Sequence, residues 1–149
     1  MQKNVVIVVD DDLTILELLR YQITDAVGSN CDVELATSGS EVDELLKTLE
    51  IQSRLVTVLV TDYFLDDCTG IDIIQRVLKV YPACSTVLLT GQHQRDVERI
   101  STSDVTPDRY FSKPWNSFEL KSHLNNLIAK SSEGSNGPEC RRQALVIEA

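Results

Sequence analysis

The chain has 149 residues, 42% hydrophobic and 25% charged, which is enough to bury the core of one globular domain. Its 23 Asp and Glu residues outnumber 14 Lys and Arg residues, and the formal net charge of −9 disfavours direct binding to nucleic acid. No apolar run approaches the roughly 18 residues of a membrane span, and the N-terminal apolar stretch is too short for a signal peptide. We therefore expect a cytoplasmic protein.

The four cysteines show neither a C-x-x-C pair nor a histidine at zinc-ligand spacing, so we expect reduced thiols and no zinc site. They are Cys31, Cys68, Cys84 and Cys140.

The N-terminal segment predicts a buried strand followed by an amphipathic helix. Residues 4–9 form an unbroken apolar run that is typical of a parallel strand covered on both faces, and three acids follow it. Asp12 occupies the position of a helix N-cap, and Gly28 closes the helix. Apolar residues recur at helical spacing between them, at Leu13, Leu16, Leu19 and Ile23.

The same alternation of strand and helix continues along the chain. The predicted strands are 31–36, 55–60, 85–89 and 109–112, and the helices that follow them are 40–49, 71–80, about 95–100 and 117 to about 128. Five strands that alternate with helices predict an α/β fold, a doubly wound parallel sheet with helices on both faces.

The composition changes at Ser131, where a Ser-, Gly-, Asn- and Pro-containing stretch begins that cannot bury enough surface to order itself. We therefore place one domain at 1–130 and a flexible linker or tail at 131–149.

Chemically distinctive residues follow the predicted strands. Since ligands of open α/β sheets bind at the carboxyl ends of the strands, these side chains are expected to converge. They are Asp10, Asp11, Asp62, Thr90 and Lys113. Three ionised carboxylates need a counter-charge, and oxygen-only ligation favours Mg²⁺. The hydroxyl and the ammonium group would then be partners for a phosphoryl group.

Four motifs carry a resemblance to a known family: Val-Val-Asp-Asp-Asp at 8–12, Val-Thr-Asp-Tyr-Phe at 60–64, Leu-Leu-Thr-Gly at 88–91, and Tyr-Phe-Ser-Lys-Pro-Trp at 110–115. In order and spacing, residues 4 to about 129 resemble the receiver domains of two-component response regulators. The resemblance implies a flavodoxin-like sheet of strand order 2-1-3-4-5. It also implies that the domain accepts a phosphoryl group from a sensor histidine kinase or a phosphotransfer protein.

The same resemblance implies a role for each motif residue. Asp62 would be the phospho-acceptor. Asp62, Asp11 and the main-chain carbonyl of Phe64 would bind Mg²⁺ directly, and Asp10 would bind it largely through water. Thr90 and Lys113 would bind the phosphoryl group. Thr90 and Tyr110 would form a switch that reshapes the face made by the fourth helix, the fifth strand and the fifth helix. That face would serve an output domain or a homodimer.

Two positions stand out beside the motifs. Asp66, followed by Asp67, replaces the proline that family members usually have four residues after the acceptor, which predicts a more acidic and more mobile loop, although the expected glycine is present as Gly70. Trp115 is expected either to face a partner or to pack on the last helix.

Two alternatives from other classes stay open at this point. Asp10-x-Asp12-x-Thr14 fits the D-x-D-x-T pattern of haloacid-dehalogenase-like phosphatases, with Asp10 as nucleophile and Asp12 as general acid, but the chain beyond Lys113 lacks the further acidic pair. A pseudo-receiver that serves only as an interaction module is the other. P-loop and dinucleotide-binding motifs do not occur.

Overall fold

The computed structural model of the chain describes residues 3–91 and 105–132. Within those residues, five strands form one parallel sheet of order β2-β1-β3-β4-β5. The strands are β1 (Asn4–Val9), β2 (Cys31–Ala36), β3 (Val56–Asp62), β4 (Ser85–Thr90) and β5 (Arg109–Ser112). Both the predicted sheet and the strand order implied by the resemblance are confirmed.

The helices agree with the predicted ones to within a few residues at each end. They are α1 (Leu13–Val27), α2 (Gly39–Ile51), α3 (Gly70–Val80) and a C-terminal helix (Ser117–Ser132), and a 3-10 turn (Gly28–Asn30) follows α1. The helix predicted at about 95–100 lies outside the described residues. The C-terminal helix runs two residues past the boundary predicted at Lys130, because serine does not by itself end a helix.

The N-termini of the first three helices are capped by side chains. Asp12 accepts hydrogen bonds from the Thr14 and Ile15 N–H groups at 2.9 and 3.3 Å, as the sequence predicted. Ser38 caps α2 through the Glu41 N–H, and α3 begins with a reciprocal capping box between Thr69 and Asp72. These caps fix where each helix leaves the carboxyl end of its preceding strand.

The sheet has a hydrophobic layer on each face. Ile7 of β1 belongs to the layer shared with α2 and α3, whereas Val6 and Val8 belong to the layer shared with α1 and the C-terminal helix. This arrangement explains why the β1 sequence is apolar at consecutive positions. Of the four apolar residues at helical spacing, Leu16, Leu19 and Ile23 are buried, whereas Leu13, the first residue of α1, is 67% exposed.

None of the helices in residues 3–91 and 105–132 combines the length and the apolar content that a membrane-spanning segment requires.

Candidate functional site

Three carboxylates meet at the carboxyl edge of the sheet. Asp10 and Asp11 follow β1, and Asp62 is the last residue of the neighbouring strand β3. Each of the three residues offers one oxygen, and these oxygens lie within 4.8 Å of one another. Asp10 is only 1% exposed, so its charge is poorly solvated. The convergence that the sequence predicted for these acids is present in the structure.

Lys113 supplies the positive charge beside them. Its ammonium nitrogen lies 2.8 Å from Oδ2 of Asp10 and 3.2 Å from Oδ1 of Asp62. Burial alone would lower the pKa of Lys113, but the hydrogen bond to Asp10 and the charges of Asp62 and Asp10 together raise it. Its main-chain N–H donates to the Thr90 carbonyl at 2.9 Å, which ties the end of β5 to the end of β4.

The single positive charge of Lys113 does not neutralise the negative charge of the three carboxylates. Burial raises the pKa of Asp62 in spite of the neighbouring Lys113 charge, and the Asp10 charge raises it further. Burial also raises the pKa of Asp11, with further contributions from Asp66 and Asp10. A site with surplus negative charge and only oxygen donors fits a hard divalent cation. Asp10, Asp11 and Asp62 could therefore hold a metal ion.

The two oxygens of Asp62 have different surroundings. Oδ1 accepts the Tyr63 N–H at 2.9 Å and faces the Lys113 ammonium group, whereas none of the described hydrogen bonds engages Oδ2. Gly70 packs directly against the backbone of Asp62, since a Cβ atom at position 70 would lie 2.4 Å from the Asp62 carbonyl oxygen. The Asp62 carboxylate is thus fixed through Oδ1, and its Oδ2 is the oxygen that could bind a ligand.

The loop between β3 and α3 is closed on itself. Phe64 pairs with Thr69 in an antiparallel bridge, and the Leu65 N–H donates to the Cys68 carbonyl at 3.2 Å. The ring of Phe64 is 52% exposed and contacts the Tyr63 ring edge-on with centroids 4.6 Å apart. The metal contact of the Phe64 carbonyl stays a prediction.

The two acids at the tip of this loop have different environments. The carboxylate of Asp67 accepts the Gly39 and Ser40 N–H groups of α2 at 2.9 and 3.1 Å, and these bonds lower its pKa. Asp66 is exposed, and its charge adds to the rise that burial causes in the pKa of Asp11. A loop expected to be mobile is therefore fastened to α2. No local pattern in the sequence indicates the contacts of Asp67, since its partners lie 28 and 27 residues away along the chain.

Thr90 and Tyr110 lie on the adjoining strands. Thr90 ends β4, next to the Leu89 that pairs with Asp62, and is 2% exposed. Tyr110 pairs with Leu88 in β5 and packs, partly buried, against the hydrophobic layer of α2 and α3. The structure places both residues near the site, and their switch role stays a prediction.

Trp115 packs, partly buried, against the layer of α1 and the C-terminal helix, which agrees with the predicted packing on the last helix. Its indole N–H donates to Gln22 of α1 at 2.8 Å. An indole needs a partner for its N–H when it is buried, and α1 provides one.

Asp12, the general acid of the phosphatase alternative, is occupied as the N-cap of α1 and is not one of the three clustered acids. The structure therefore does not favour that alternative.

Comparison with known proteins gives a consistent assignment. A family model for the response regulator receiver domain matches residues 6–125. Aerobic respiration control protein ArcA of Escherichia coli (strain K12) is 28% identical over 142 residues, which cover 95% of this chain and 56% of the relative. Transcriptional regulatory protein CreB of the same strain is 23% identical over 130 residues, or 87% of this chain and 53% of the relative. The chain thus spans about half the length of these relatives.

Solved structures show the same fold. The signal receiver domain of an HD domain-containing protein from Pseudomonas fluorescens Pf-5 matches with a TM-score of 0.70 at 21% identity, covering 90% of this chain and 93% of that one. A response regulator receiver domain protein from Clostridium thermocellum matches with a TM-score of 0.68 at 23% identity, covering 87% and 97%. With the family model matching most of its length, the chain belongs to the response regulator receiver domain family.

Proposed function

We propose that this receiver domain accepts a phosphoryl group on Asp62 from a cytoplasmic sensor histidine kinase or phosphotransfer protein. The observation that carries the proposal is the position of Lys113, whose ammonium group contacts both Asp10 and the acceptor. A lysine held between two acids can neutralise a phosphoryl group arriving at one of them. A pseudo-receiver would not need this arrangement.

The different surroundings of the Asp62 oxygens indicate how the transfer proceeds. Oδ2 attacks the phosphorus atom, and the new P–O bond forms as the P–N bond to the donor histidine breaks. The electron pair of the broken bond stays on the imidazole nitrogen, which takes up a proton. The Tyr63 N–H holds Oδ1, which becomes the carbonyl oxygen of the acyl phosphate. Lys113 then pairs with the phosphoryl oxygens, and Thr90 donates its hydroxyl to one of them.

The cation that fits the acidic cluster is Mg²⁺. Asp11 and Asp62 would hold it directly, with the Phe64 carbonyl, and Asp10 would act largely through water. When bound, it supplies positive charge that offsets the repulsion between the carboxylates and the phosphoryl oxygens. Autophosphorylation with small donors and slow autodephosphorylation belong to the same proposal.

Signalling would start from the added charge. A phosphoryl group brings about two negative charges to the sheet edge, and Thr90 must move toward it to donate its hydroxyl. Tyr110 would then turn inward and reshape the face made by the predicted fourth helix, β5 and the C-terminal helix. An output domain or a second copy of the chain would bind there. We place the receiver domain at 1–130 and a linker or tail at 131–149.

The test is phosphorylation by acetyl phosphate, followed by intact mass. Wild type should gain one phosphoryl group only when Mg²⁺ is present, and Asp62→Asn should gain none. Asp43→Asn is the matched control, since Asp43 is an exposed acid that pairs with Arg76 on the surface. Labelling that survives EDTA, or that persists on another residue of Asp62→Asn, would overturn the proposal.

A further inference from the structure

A series of hydrogen bonds connects the end of β1 to the β3–α3 loop by way of α2. The Asp10 N–H donates to the Ala36 carbonyl at the end of β2, at 3.2 Å. Shortly after β2, at the start of α2, the Gly39 and Ser40 N–H groups donate to the two carboxylate oxygens of Asp67, at 2.9 and 3.1 Å. Asp67 therefore links the loop that follows β3 to the strand end that carries Asp10.

The loop tip packs closely on the start of α2. Gly39 is buried there, and a Cβ atom at that position would lie 2.7 Å from Sγ of Cys68 and 3.3 Å from Oδ1 of Asp67. The first N–H groups of a helix have no partner within the helix, and they form the positive end of its dipole. A carboxylate that accepts two of them gives the loop tip a defined position on α2.

The loop is also held at its base. Phe64 and Thr69 form the antiparallel bridge, and the Gly70 N–H donates to the Tyr63 carbonyl at 2.6 Å. The main-chain carbonyl of Phe64, which is proposed to bind the cation, belongs to this loop. A loop attached only at its base has few contacts that resist local opening. The attachment of Asp67 to α2 therefore restricts the positions that the Phe64 carbonyl can take.

We propose that Asp67 is a positioning residue for the divalent cation. By binding the start of α2, it holds the β3–α3 loop in the conformation in which the Phe64 carbonyl reaches a cation at the acidic cluster. The proposal rests on the function proposed for Asp62, because it assumes that a cation binds there. Asp67 is not one of the three clustered acids and acts through the backbone of the loop.

A positional effect can be separated from an effect of the Asp67 charge. If the loop is docked in only a fraction of the molecules, the apparent cation affinity falls in proportion to that fraction, in low and in high salt. A purely electrostatic effect would vanish in concentrated salt, because Asp67 is exposed. Asparagine and alanine both remove the charge, but asparagine keeps one oxygen that can accept an N–H group. The two replacements therefore differ only if the hydrogen bonds matter.

The experiment compares the full-length wild type with Asp67→Ala, Asp67→Asn and Ser38→Ala. Ser38→Ala is the matched control, because it removes a cap from the same end of α2, the acceptor of the Glu41 N–H at 3.1 Å, and lies outside the loop. Mg²⁺ is titrated into metal-free protein in about 0.1 M and about 1 M salt, and binding is followed by the amide shifts of Asp11 and Lys113. Urea unfolding in EDTA measures the stability that each variant loses.

Asp67→Ala should bind Mg²⁺ about three- to tenfold more weakly than wild type, which corresponds to a loop docked in about a third to a tenth of the molecules. The loss should persist in about 1 M salt, and Asp67→Asn should recover part of it. Ser38→Ala should lose stability but keep the cation affinity of wild type.

Three results would overturn the inference. The first is unchanged Mg²⁺ affinity in Asp67→Ala. The second is an equal loss in Asp67→Ala and Asp67→Asn that vanishes in concentrated salt, which would show an effect of charge alone. The third is an equal loss in Ser38→Ala, which would show that only the stability of α2 matters.

If Asp67→Ala does not fold, Asp67→Asn takes its place, and its loss of affinity in about 1 M salt must exceed that of Ser38→Ala. Failure of wild type to bind Mg²⁺ at all would instead overturn the proposed function, so the two failures are distinguishable.

Discussion

Replacement of Asp62 by Asn should stabilise the fold when no divalent cation is present. The Asp62 side chain is 13% exposed, and burial raises its pKa above the ordinary value of 3.8. A folded-state pKa above the unfolded one means that the folded protein prefers the protonated form. At neutral pH the ionised carboxylate therefore opposes folding, and the isosteric neutral amide removes that opposition.

The contact distances set the size of the effect. At an effective dielectric constant of about 20, the Lys113 ammonium group at 3.2 Å attracts Asp62 by about 5 kcal/mol, and an acid at the 4.8 Å limit of the cluster repels it by roughly 3 to 4 kcal/mol. These opposing charges largely cancel, so burial, the largest cause of the raised pKa, decides the sign, and the ionised carboxylate destabilises the fold. Asparagine retains an acceptor for the Tyr63 N–H, so we expect Asp62→Asn to raise the free energy of unfolding by about 1 to 2 kcal/mol.

Urea unfolding in EDTA measures this difference. Asp43→Asn is the control and should change the free energy of unfolding by at most about 0.5 kcal/mol, because its ion pair with Arg76 is exposed. As the pH falls through the raised pKa of Asp62, wild type becomes protonated there and its disadvantage relative to Asp62→Asn should shrink. Excess Mg²⁺ should stabilise wild type more than the variant.

The electrostatic reasoning fails if Asp62→Asn in EDTA is as stable as wild type or less stable. It also fails if the advantage of the variant is the same at neutral pH and at a pH below the raised pKa of Asp62, where the wild-type carboxylate has lost its charge.

The remaining predictions concern lifetime, switching and the domain boundary. Phe64→Asn should speed dephosphorylation of Asp62 more than it changes phosphorylation, because an exposed apolar ring hinders the attacking water; equal effects on both rates would contradict this. Thr90→Ala and Tyr110→Ala should still bind beryllofluoride, yet show smaller amide shifts across β5 and the C-terminal helix than wild type, and full shifts in both would show another route. Deletion of 131–149 should leave the melting temperature and phosphorylation almost unchanged, and a drop of many degrees would show that the tail packs on the domain.

The sheet and the acidic cluster could be predicted because their signals are local. The run Asn4–Val9 is apolar at every position from Val5 because each face of the sheet carries a hydrophobic layer, and a strand buried on both faces has no polar alternation. The acids that follow β1 and β3 had to meet once those strands were neighbours in a parallel sheet. Asp12 could be assigned as a cap because its contacts lie within three residues.

The contacts that fix the β3–α3 loop could not be predicted, because they join residues far apart in the chain. Asp67 lies 28 residues from Gly39, and nothing in either segment indicates that the N-terminus of α2 would meet the loop. Likewise the hydrogen bond between Trp115 and Gln22 spans 93 residues. Such pairings depend on how complete helices and strands pack together. The local periodicities of about 3.6 residues for helices and two residues for strands therefore do not predict them.

The acidic cluster links the stability of this domain to its chemistry. Repulsion between the carboxylates of the site lowers the stability of the fold, but the same repulsion favours the binding of a positive charge. Lys113 offsets part of the excess and leaves the rest for a divalent cation, since the pKa values of Asp11 and Asp62 stay raised with Lys113 in place. The charge of Asp66 also contributes to the raised pKa of Asp11, but its removal should stabilise the cation-free protein less than the removal of the Asp62 charge does. The exposed Asp66 charge is screened by solvent, whereas the Asp62 side chain is only 13% exposed and its charge is screened less.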